Sequence, residues 1–305
     1  MLSIVIVNYK TPLQLLNCVN SIYFETKNIP FEIIIVDNNS QDSSKKIVNH
    51  LKELKWIQLY QNVGFAKANN IGINNSKGDI ILLLNSDTVI LNNAIGNCYN
   101  QFINSNYVAC GVQLLFHDLT PQVSGSYFMK GALNNLLPLP IIGKTIKFLG
   151  TLTKVKNPNI FDSQKEIEVD WIKGAFLMLK KEALEKSGLF DEDFFLYSEE
   201  VELCSRLKKY GKLCIYGQYN VIHLEGKSSE ILYKSTTKGY QNFNDTKGKQ
   251  ILLSNLVRIR KQLGKKWFWF HLIMYSIFQY KNTKKIWKYV KYINSNQRYF
   301  YKYMD

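Results

Sequence analysis

The sequence predicts an α/β protein with a mainly parallel central sheet sandwiched by helices and a helical carboxyl-terminal extension. Three observations predict it. Short apolar runs rich in β-branched residues recur through the first ninety residues, and each ends at polar side chains. Helical patterns lie between those runs, and strands alternating with helices build parallel sheets covered on both faces. The chain has 305 residues and is 46% hydrophobic, enough for a sizeable core.

The first run, Ser3 to Val7, ends at Asn8-Tyr9, and Pro12 opens a helical pattern through Leu13, Leu16, Val19 and Ile22. The opening residues have no basic flank and no small-residue cleavage site, so a first strand is predicted rather than a signal peptide. Phe31 to Val36 is the second strand, ending at Asp37-Asn38-Asn39-Ser40. A helix is expected over Ser43 to Leu54, a strand over Trp56 to Tyr60, a helix over Ala66 to Asn75 and a strand over Ile80 to Leu84. Residues 116–168 carry Pro121, Pro138, Pro140 and Pro158 and are expected to be loops with short elements that roof a site. Gly174 to Lys180 is predicted as a strand, and Lys181 to Ser187 as a helix stopped by Gly188. Glu199 to Tyr210 is a helix stopped by Gly211, and Leu213 to Tyr216 and Asn220 to His223 are two short strands. The expected division is residues 1–230 as one body, in two halves (1–115 and 116–230), and 231–305 as the extension.

Five scattered cysteines without a C-x-x-C pair fit reduced thiols in the cytoplasm better than a disulfide framework. The net charge of +15 is uneven: from Lys247 onward there are 14 Lys or Arg against one acid, Asp305. Such a tail attracts nucleic acid or an anionic membrane. The run Trp267 to Phe278 is flanked by Lys265 and Lys266 before and by Lys281, Lys284 and Lys285 after. It is shorter than the roughly 20 residues a membrane span requires. Aromatics between lysines suit a helix lying in the headgroup layer; a core helix with a solvated basic end is the alternative. No nucleic-acid motif accompanies the charge.

In parallel sheets of this kind ligands collect beyond the carboxyl ends of the strands, where Asn8, Asp37 and Asp87 lie. Asp37 can accept from a base N–H or a ribose hydroxyl, or merely form an Asx-type turn with the residues after it. The turn Asn62-Val63-Gly64-Phe65 precedes a helix, so its backbone N–H groups could face a phosphate; an ordinary strand-to-helix turn is the plainer reading. No G-x-G-x-x-G and no phosphate loop of the G-x-x-x-x-G-K type occurs. Asp87 is the best metal candidate, because hard divalent ions take oxygen ligands and keep positions for substrate phosphates. His223, at a strand end, is the candidate nitrogen donor, although a lone histidine is more often structural. Ser198 followed by Glu199, Glu200 and Glu202 reads as a capped, dipole-favoured helix start, which does not account for the aromatic wall Phe194-Phe195-Leu196-Tyr197 in front of it.

Taken together, S-I-V-I-V-N-Y, V-D-N-N-S, N-V-G-F-A-x-x-x-N-x-G-I, L-L-N-S-D-T, D-W-I-K-G-A, G-L-F-D-E-D-F-F-L-Y-S-E-E-V-E-L and V-I-H resemble family 2 glycosyltransferases of the GT-A fold. Bacterial rhamnosyltransferase-like enzymes of surface polysaccharide synthesis are the most similar kind. The match covers roughly residues 3 to 225. The resemblance implies donor contacts from Asn8, Tyr9, Asp37, Asn39, Asn62, Gly64, Phe65, Asn70, Ser86 and Asp87. It implies a divalent metal, Mn2+ or Mg2+, at Asp87 and His223. Trp171, Gly174 and Glu199 would line the donor-sugar and acceptor pocket, and Glu200, with Glu199 as the second candidate, would be the catalytic base. Two departures stand out. The D-x-D pattern frequent in the family reads Asn85-Ser86-Asp87 here, and E-D-x-D reads Glu199-Glu200-Val201-Glu202.

The implied reaction is an inverting, metal-dependent transfer from a dTDP- or UDP-sugar, dTDP-rhamnose among them, to a hydroxyl of a glycan or lipid-linked glycan. Glu200, ionised at neutral pH by its reference pKa of about 4.3, would take the hydroxyl proton. The expected setting is cytoplasmic, peripheral to the inner face of the plasma membrane through the extension, with no nucleic acid partner and with a homodimer contact through the tail left open. The rivals are a catalytically weak nucleotide-sugar-binding relative, a nucleotidyltransferase lacking its glycine-rich basic loop, and a basic nucleic-acid-binding protein.

Overall fold

The structure, a computed structural model, describes residues 1–51, 54–128, 133–139, 141–152, 158–225, 231–233 and 246–278. Strands β1 (Leu2–Asn8), β2 (Phe31–Asp37), β3 (Leu54–Gln58) and β4 (Ile80–Asn85) run parallel in the order β3-β2-β1-β4. Their register aligns Asn8 with Asp37 and Val7 with Asn85, so the polar residues that end each run reach one edge together. Beyond β4 the sheet continues through β11 (Phe176–Lys180), antiparallel to both neighbours, then β6 (Tyr107–Leu115) and β12 (Lys212–His223). β5 (Thr88–Ile90) pairs with the last residues of β12, and β9 (Glu166–Val169) with its first half. β11 begins beside the same edge, with Phe176 opposite Leu84, and β12 ends there, with His223 opposite Thr88 of β5.

Both faces of the sheet are covered, because alternate side chains of a strand point to opposite sides. On one face Leu2, Ile4 and Ile6 pack with Leu15, Cys18 and Ile22 of α1 (Pro12–Glu25) and with Ile95 and Phe102 of α4 (Ala94–Ile103). On the other, Val5 and Val7 pack with Ala66 and Ile73 of α3 (Phe65–Asn74) and join Leu203 and Leu207 of α8 (Glu199–Leu207) and Leu184 of α7 (Lys181–Ser187). β1 is buried along its whole length, which is why it reads as a continuous apolar run rather than an alternating one.

Several expected boundaries move. The helix predicted over Ser43 to Leu54 is only α2 (Ser44–Val48), because Leu54 to Gln58 pairs with Ile33 to Asp37 and the chain is extended there. That strand ends before Tyr60, which is 96% exposed. The two short strands expected at Leu213–Tyr216 and Asn220–His223 are one strand with a register shift between Tyr216 and Asn220. The helix begun at Glu199 ends at Leu207 rather than Tyr210. Residues 88–115, left unassigned by the sequence, form β5, α4 and β6.

The stretch 116–168 contributes β7 (Gly125–Ser126) and β8 (Asn159–Ile160), which form a small sheet with β10 (Trp171–Ile172), and the helices α5 (Leu133–Leu136) and α6 (Ile142–Leu152). The extension forms α9 (Thr246–Leu263) and α10 (Lys265–Phe278). Leu252 and Leu256 of α9, Phe268, Leu272 and Tyr275 of α10 and Leu139 make a satellite core of their own. Among the described residues no helix is long and apolar enough to cross a membrane. The flanking Lys281, Lys284 and Lys285 lie outside the described residues.

Candidate active site

A cavity of about 490 Å³ opens at the carboxyl edge of the sheet. Tyr9, Asn62, Gly64, Phe65, Ser86, Asp87, Trp171, Gly174, Glu199, Glu200 and His223 line it, so eleven of the residues singled out in the sequence meet in one space. They come from strand ends, from the turn before α3 and from the first turn of α8. Lys173, Asn38 and Asn85 line it as well.

Asp87 and His223 converge from different strands: Asp87 Oδ1 lies 3.4 Å from His223 Nε2, and both side chains are buried. His223 Nδ1 is 3.1 Å from Gln122 Oε1, while the Gln122 amide nitrogen donates to the Leu115 and His223 carbonyls. The Gln122 oxygen is therefore an acceptor, and Nδ1 carries the hydrogen. That leaves the Nε2 lone pair turned toward Asp87 and toward Asn85 Nδ2 at 3.3 Å. A carboxylate oxygen and an imidazole lone pair that face each other at this separation fit two ligands of one divalent cation. Among the described residues there is no group of three or more His, Cys, Asp or Glu that could hold a metal. The pair therefore fits a cation shared with a substrate that completes the shell with its own oxygens, rather than a closed protein cage.

The carboxylates are set by the segment before α8. Phe65 N–H donates to the Phe195 carbonyl at 2.6 Å, and Gly64, at φ +87°, lies so close that an added Cβ would fall 2.6–2.9 Å from Phe195. From the opposite side Ser254 Oγ of α9 donates to the Leu196 carbonyl at 2.7 Å, and Gln250 Nε2 approaches the same oxygen at 3.4 Å. Tyr197 and Ser198 then both adopt left-handed backbone, at φ 75° and 69°, and turn the chain into α8. Lys247 and Ile251 of α9, together with Leu232, complete the cavity wall.

Burial, with the neighbouring Glu200 charge adding to it, pushes the Glu199 carboxyl well above the ordinary range. Burial also raises Glu200, opposed by its own backbone N–H and by Lys173. The Oε2 atoms of both are buried with no hydrogen-bond partner among the described residues. Two adjacent carboxyls in such a place do not both ionise readily. The positive charge of Lys173 favours the ionised form on Glu200, and Glu199 is the member that keeps a proton. Lys173 Nζ also contacts Glu225 at 2.9 Å and Gln122 Oε1 at 3.3 Å, so a single ammonium links the support of His223 to the carboxyl pair.

Several expectations are corrected here. Ser198 makes no side-chain cap, because left-handed backbone turns it away from the first-turn amides. Glu200 is not an ordinary carboxylate, since burial raises it. The turn before α3 is not a phosphate cradle: Val63 N–H donates to Asn38 Oδ1, Gly64 N–H to Asn62 Oδ1 and Phe65 N–H to Phe195, so all three amides are engaged within the protein. Asn70 does not reach the cavity, because its amide forms a two-way clamp on the Phe190 backbone. Among the described residues none from 116–168 lines the cavity; Leu196 to Val201 and the extension cover it instead. Glu202 pairs with Arg206, whose guanidinium grips the Ser187, Gly188 and Leu189 carbonyls, a structural role.

Asn8, Asp37 and Asn39 also lie off the cavity wall. Asn8 and Asp37 belong to a buried chain in which Ser86, Thr11, Asn8 and Asp37 are joined in sequence, with Ser40 and Gln58 donating to Asp37 as well. It ties the carboxyl ends of β1, β2 and β4 together and holds Ser86 beside Asp87. The Ser40 N–H bond to Asp37 is the Asx-type turn that was the plainer reading of this segment. Asn39 sits half-buried at φ 65° and accepts from Gln41. Asn38, Gln122 and Lys173 were missed as site residues. For Asn38 the doubled Asn after a strand was a signal; for Gln122 and Lys173 only their partners in space reveal the role.

The glycosyl transferase family 2 model matches residues 3–181. The chain is 27% identical over 213 residues to the low-salt glycan biosynthesis hexosyltransferase Agl10 of Haloferax volcanii, covering 68% of this chain and 62% of that protein's length. It is 26% identical over 204 residues to the rhamnosyltransferase WbbL of Escherichia coli, covering 63% of this chain and 72% of WbbL. With the dTDP-rhamnosyl transferase RfbF of Shigella flexneri it shares 26% identity over 231 residues, 74% of this chain and 69% of RfbF. Among solved structures, GalNAc-T7 with UDP, GalNAc and Mn2+ superposes with a TM-score of 0.57 at 14% identity, over 85% of this chain and 47% of that one. Staphylococcus aureus TarS 1-349 in complex with UDP-GlcNAc does so with a TM-score of 0.51 at 13% identity, over 91% and 73%. Identities this low establish the fold alone, and that fold is the GT-A type α/β architecture expected from the motifs. A family match over more than half the chain, this architecture and a cavity where the family's motifs meet lead to one conclusion: the chain belongs to glycosyl transferase family 2.

Proposed function

We propose that the chain is an inverting glycosyltransferase that moves a sugar from a dTDP- or UDP-sugar, dTDP-rhamnose foremost, to a hydroxyl of a glycan or lipid-linked glycan acceptor in surface polysaccharide synthesis. The observation that carries the reading is the convergence of the Asp87–His223 pair and the Glu199–Glu200 pair on one cavity. Two relatives, WbbL and RfbF, are named as rhamnosyltransferases, and this favours the deoxysugar donor. Residues 1–230 form the catalytic body in this reading, and 231–305 an extension whose α9 closes the cavity.

In the proposed reaction the acceptor oxygen attacks the anomeric carbon from the face opposite the nucleotide. Glu200 accepts the hydroxyl proton as the new bond forms, and the diphosphate leaves with the bonding pair. Glu199, keeping its proton, leaves Glu200 as the only basic member of the pair. Lys173 holds Glu200 in its ionised form, and Trp171 with the Phe195 to Tyr197 wall offers apolar surface to the sugar rings. A divalent cation held by Asp87 and His223, Mn2+ or Mg2+, would neutralise charge on the diphosphate. The work is cytoplasmic in this reading, next to the inner leaflet where a lipid-linked acceptor resides.

The test is a thermal-shift panel of nucleoside diphosphates with and without Mn2+, followed by transfer assays with the nucleotide-sugars of whichever base stabilises the protein. A metal-dependent shift for a thymidine or uridine diphosphate is expected. No shift with any nucleotide at millimolar concentration would remove the reading.

A further inference from the structure

The described structure carries two helices whose apolar stripes face outward. In α6 the exposed side chains include Phe148, Leu149 and Leu152, with Ile141 just before the helix, and their relative exposures run from 52% to 64%. Phe148 and Leu152, four apart, share one helical face, and Ile141 is exposed just before the helix. A surface helix ordinarily turns such a stripe to the core. In α10 the inward positions Phe268, Leu272 and Tyr275 are buried, while Trp269, Ile273 and Ile277, four apart, are 38%, 50% and 61% exposed. The charged residues of both helices are all cationic: Lys144 and Lys147 on α6, Lys265 and Lys266 at the start of α10.

We propose that α6 and α10 together form a docking surface for an anionic lipid bilayer, with α6, not the extension alone, as an inserting element. Aliphatic and aromatic side chains enter the headgroup–acyl boundary while neighbouring lysines meet lipid phosphates. A second copy of the chain would bring lysine against lysine, and a nucleic acid would give no reward to Ile141, Leu152 or Ile277. The two helices share the satellite core with α9: Leu139 and Ile142 lie beside the start of α6, and Leu252 and Leu256 belong to α9. The same α9 lines the cavity with Lys247 and Ile251. Helix α9 thus lies between the satellite core and the cavity and contributes side chains to both. This deepens the proposed function by supplying the surface that delivers a lipid-linked acceptor, and it rests on that reading only for the acceptor.

The experiment is co-sedimentation of the full chain with phosphatidylcholine vesicles, with and without about 25% phosphatidylglycerol. Wild type is expected to bind the anionic vesicles and to release as salt rises. The double variant Phe148→Ser/Leu152→Ser, altered only at exposed positions, is expected to lose about 10-fold or more in vesicle affinity. Lys144→Glu/Lys147→Glu is expected to weaken binding to the anionic vesicles only. Circular dichroism and an unchanged nucleoside-diphosphate thermal shift confirm that the variants are folded. Unaltered binding by both α6 variants overturns the proposal, as does wild-type indifference to both vesicles. So does an oligomer, seen by light scattering, that the α6 variants dissolve. Vesicle binding without any nucleotide shift would sink the transferase reading and leave the docking surface standing.

Discussion

Ser254 Oγ donates to the Leu196 carbonyl at 2.7 Å, and through that bond a helix from the extension holds the turn that presents Glu199 and Glu200. The preceding carbonyl, Phe195, is held by Phe65 from the amino-terminal half. Two consecutive carbonyls are thus gripped from opposite sides, and the two left-handed residues that follow depend on that grip to stay where they are.

Ser254→Ala should cost about 1 kcal/mol of stability, the net worth of one such bond. Its larger effect should be on kcat, with nucleotide affinity unchanged, because the turn carries the base and not the nucleotide contacts. Steady-state kinetics beside a nucleotide thermal shift would check the split. A fall in nucleotide affinity alone would contradict it.

Glu200→Gln should lower the transfer rate by about 10²–10⁴-fold, the range of a lost general base, while nucleoside-diphosphate binding persists. Glu199→Gln should be much milder, because a protonated carboxyl and an amide are similar in size and both uncharged. Single-turnover transfer by the two variants decides between them. The reverse order would give the base role to Glu199.

The pH profile follows from the raised carboxyls. Glu200 must be ionised to accept a proton, so kcat/KM should rise with pH through an acid limb lying above the ordinary carboxylate value of about 4.3. Lys173→Met removes the charge that favours ionisation and should move that limb to higher pH. Stability runs the other way. Above about pH 4.3 the unfolded chain releases both protons while the native pair gives them up only at higher pH, Glu200 before Glu199, so folding stability falls as pH rises through that window. Denaturation of Glu199→Gln/Glu200→Gln across the window should show a flatter dependence than wild type.

Gln122→Leu leaves Asp87 and His223 in place but removes the acceptor that fixes the ring. Loss of such a partner typically costs about 10–100-fold in metal affinity. Mn2+ titration followed by paramagnetic resonance, in the presence of a nucleoside diphosphate, measures it. An unchanged Mn2+ affinity would disconnect Gln122 from the site.

Gly64→Ala places a Cβ against the Phe195 backbone at φ +87°, where side chains are disfavoured. A loss of about 1–3 kcal/mol is expected, measurable by urea unfolding. Because Phe195 leads into the base turn, activity should fall further than stability.

The parallel half of the sheet was legible because buried strands such as Ile4 to Val7 and Ile33 to Val36 are apolar runs that end where the chain meets ligand space. The order of motifs was legible too, and it led to Asp87, His223, Glu199 and Glu200. Short-range pattern failed where long-range pairing decided: residues 43–54 carry helical spacing, yet Leu54 onward pairs with β2, and residues 88–115, left without an assignment, hold β5, α4 and β6.

Residue types and local period, then, determined the fold class, the family and the carboxylates of the site. Only the tertiary structure decided which polar groups remain for a ligand. Asn70 and the amides of residues 63–65 are engaged inside the protein, whereas Lys173 stands beside Glu200, and helix α9 becomes a wall of the cavity. Hydrogen-bond partners and desolvation arise between segments distant in the chain, so no local stretch of sequence encodes them.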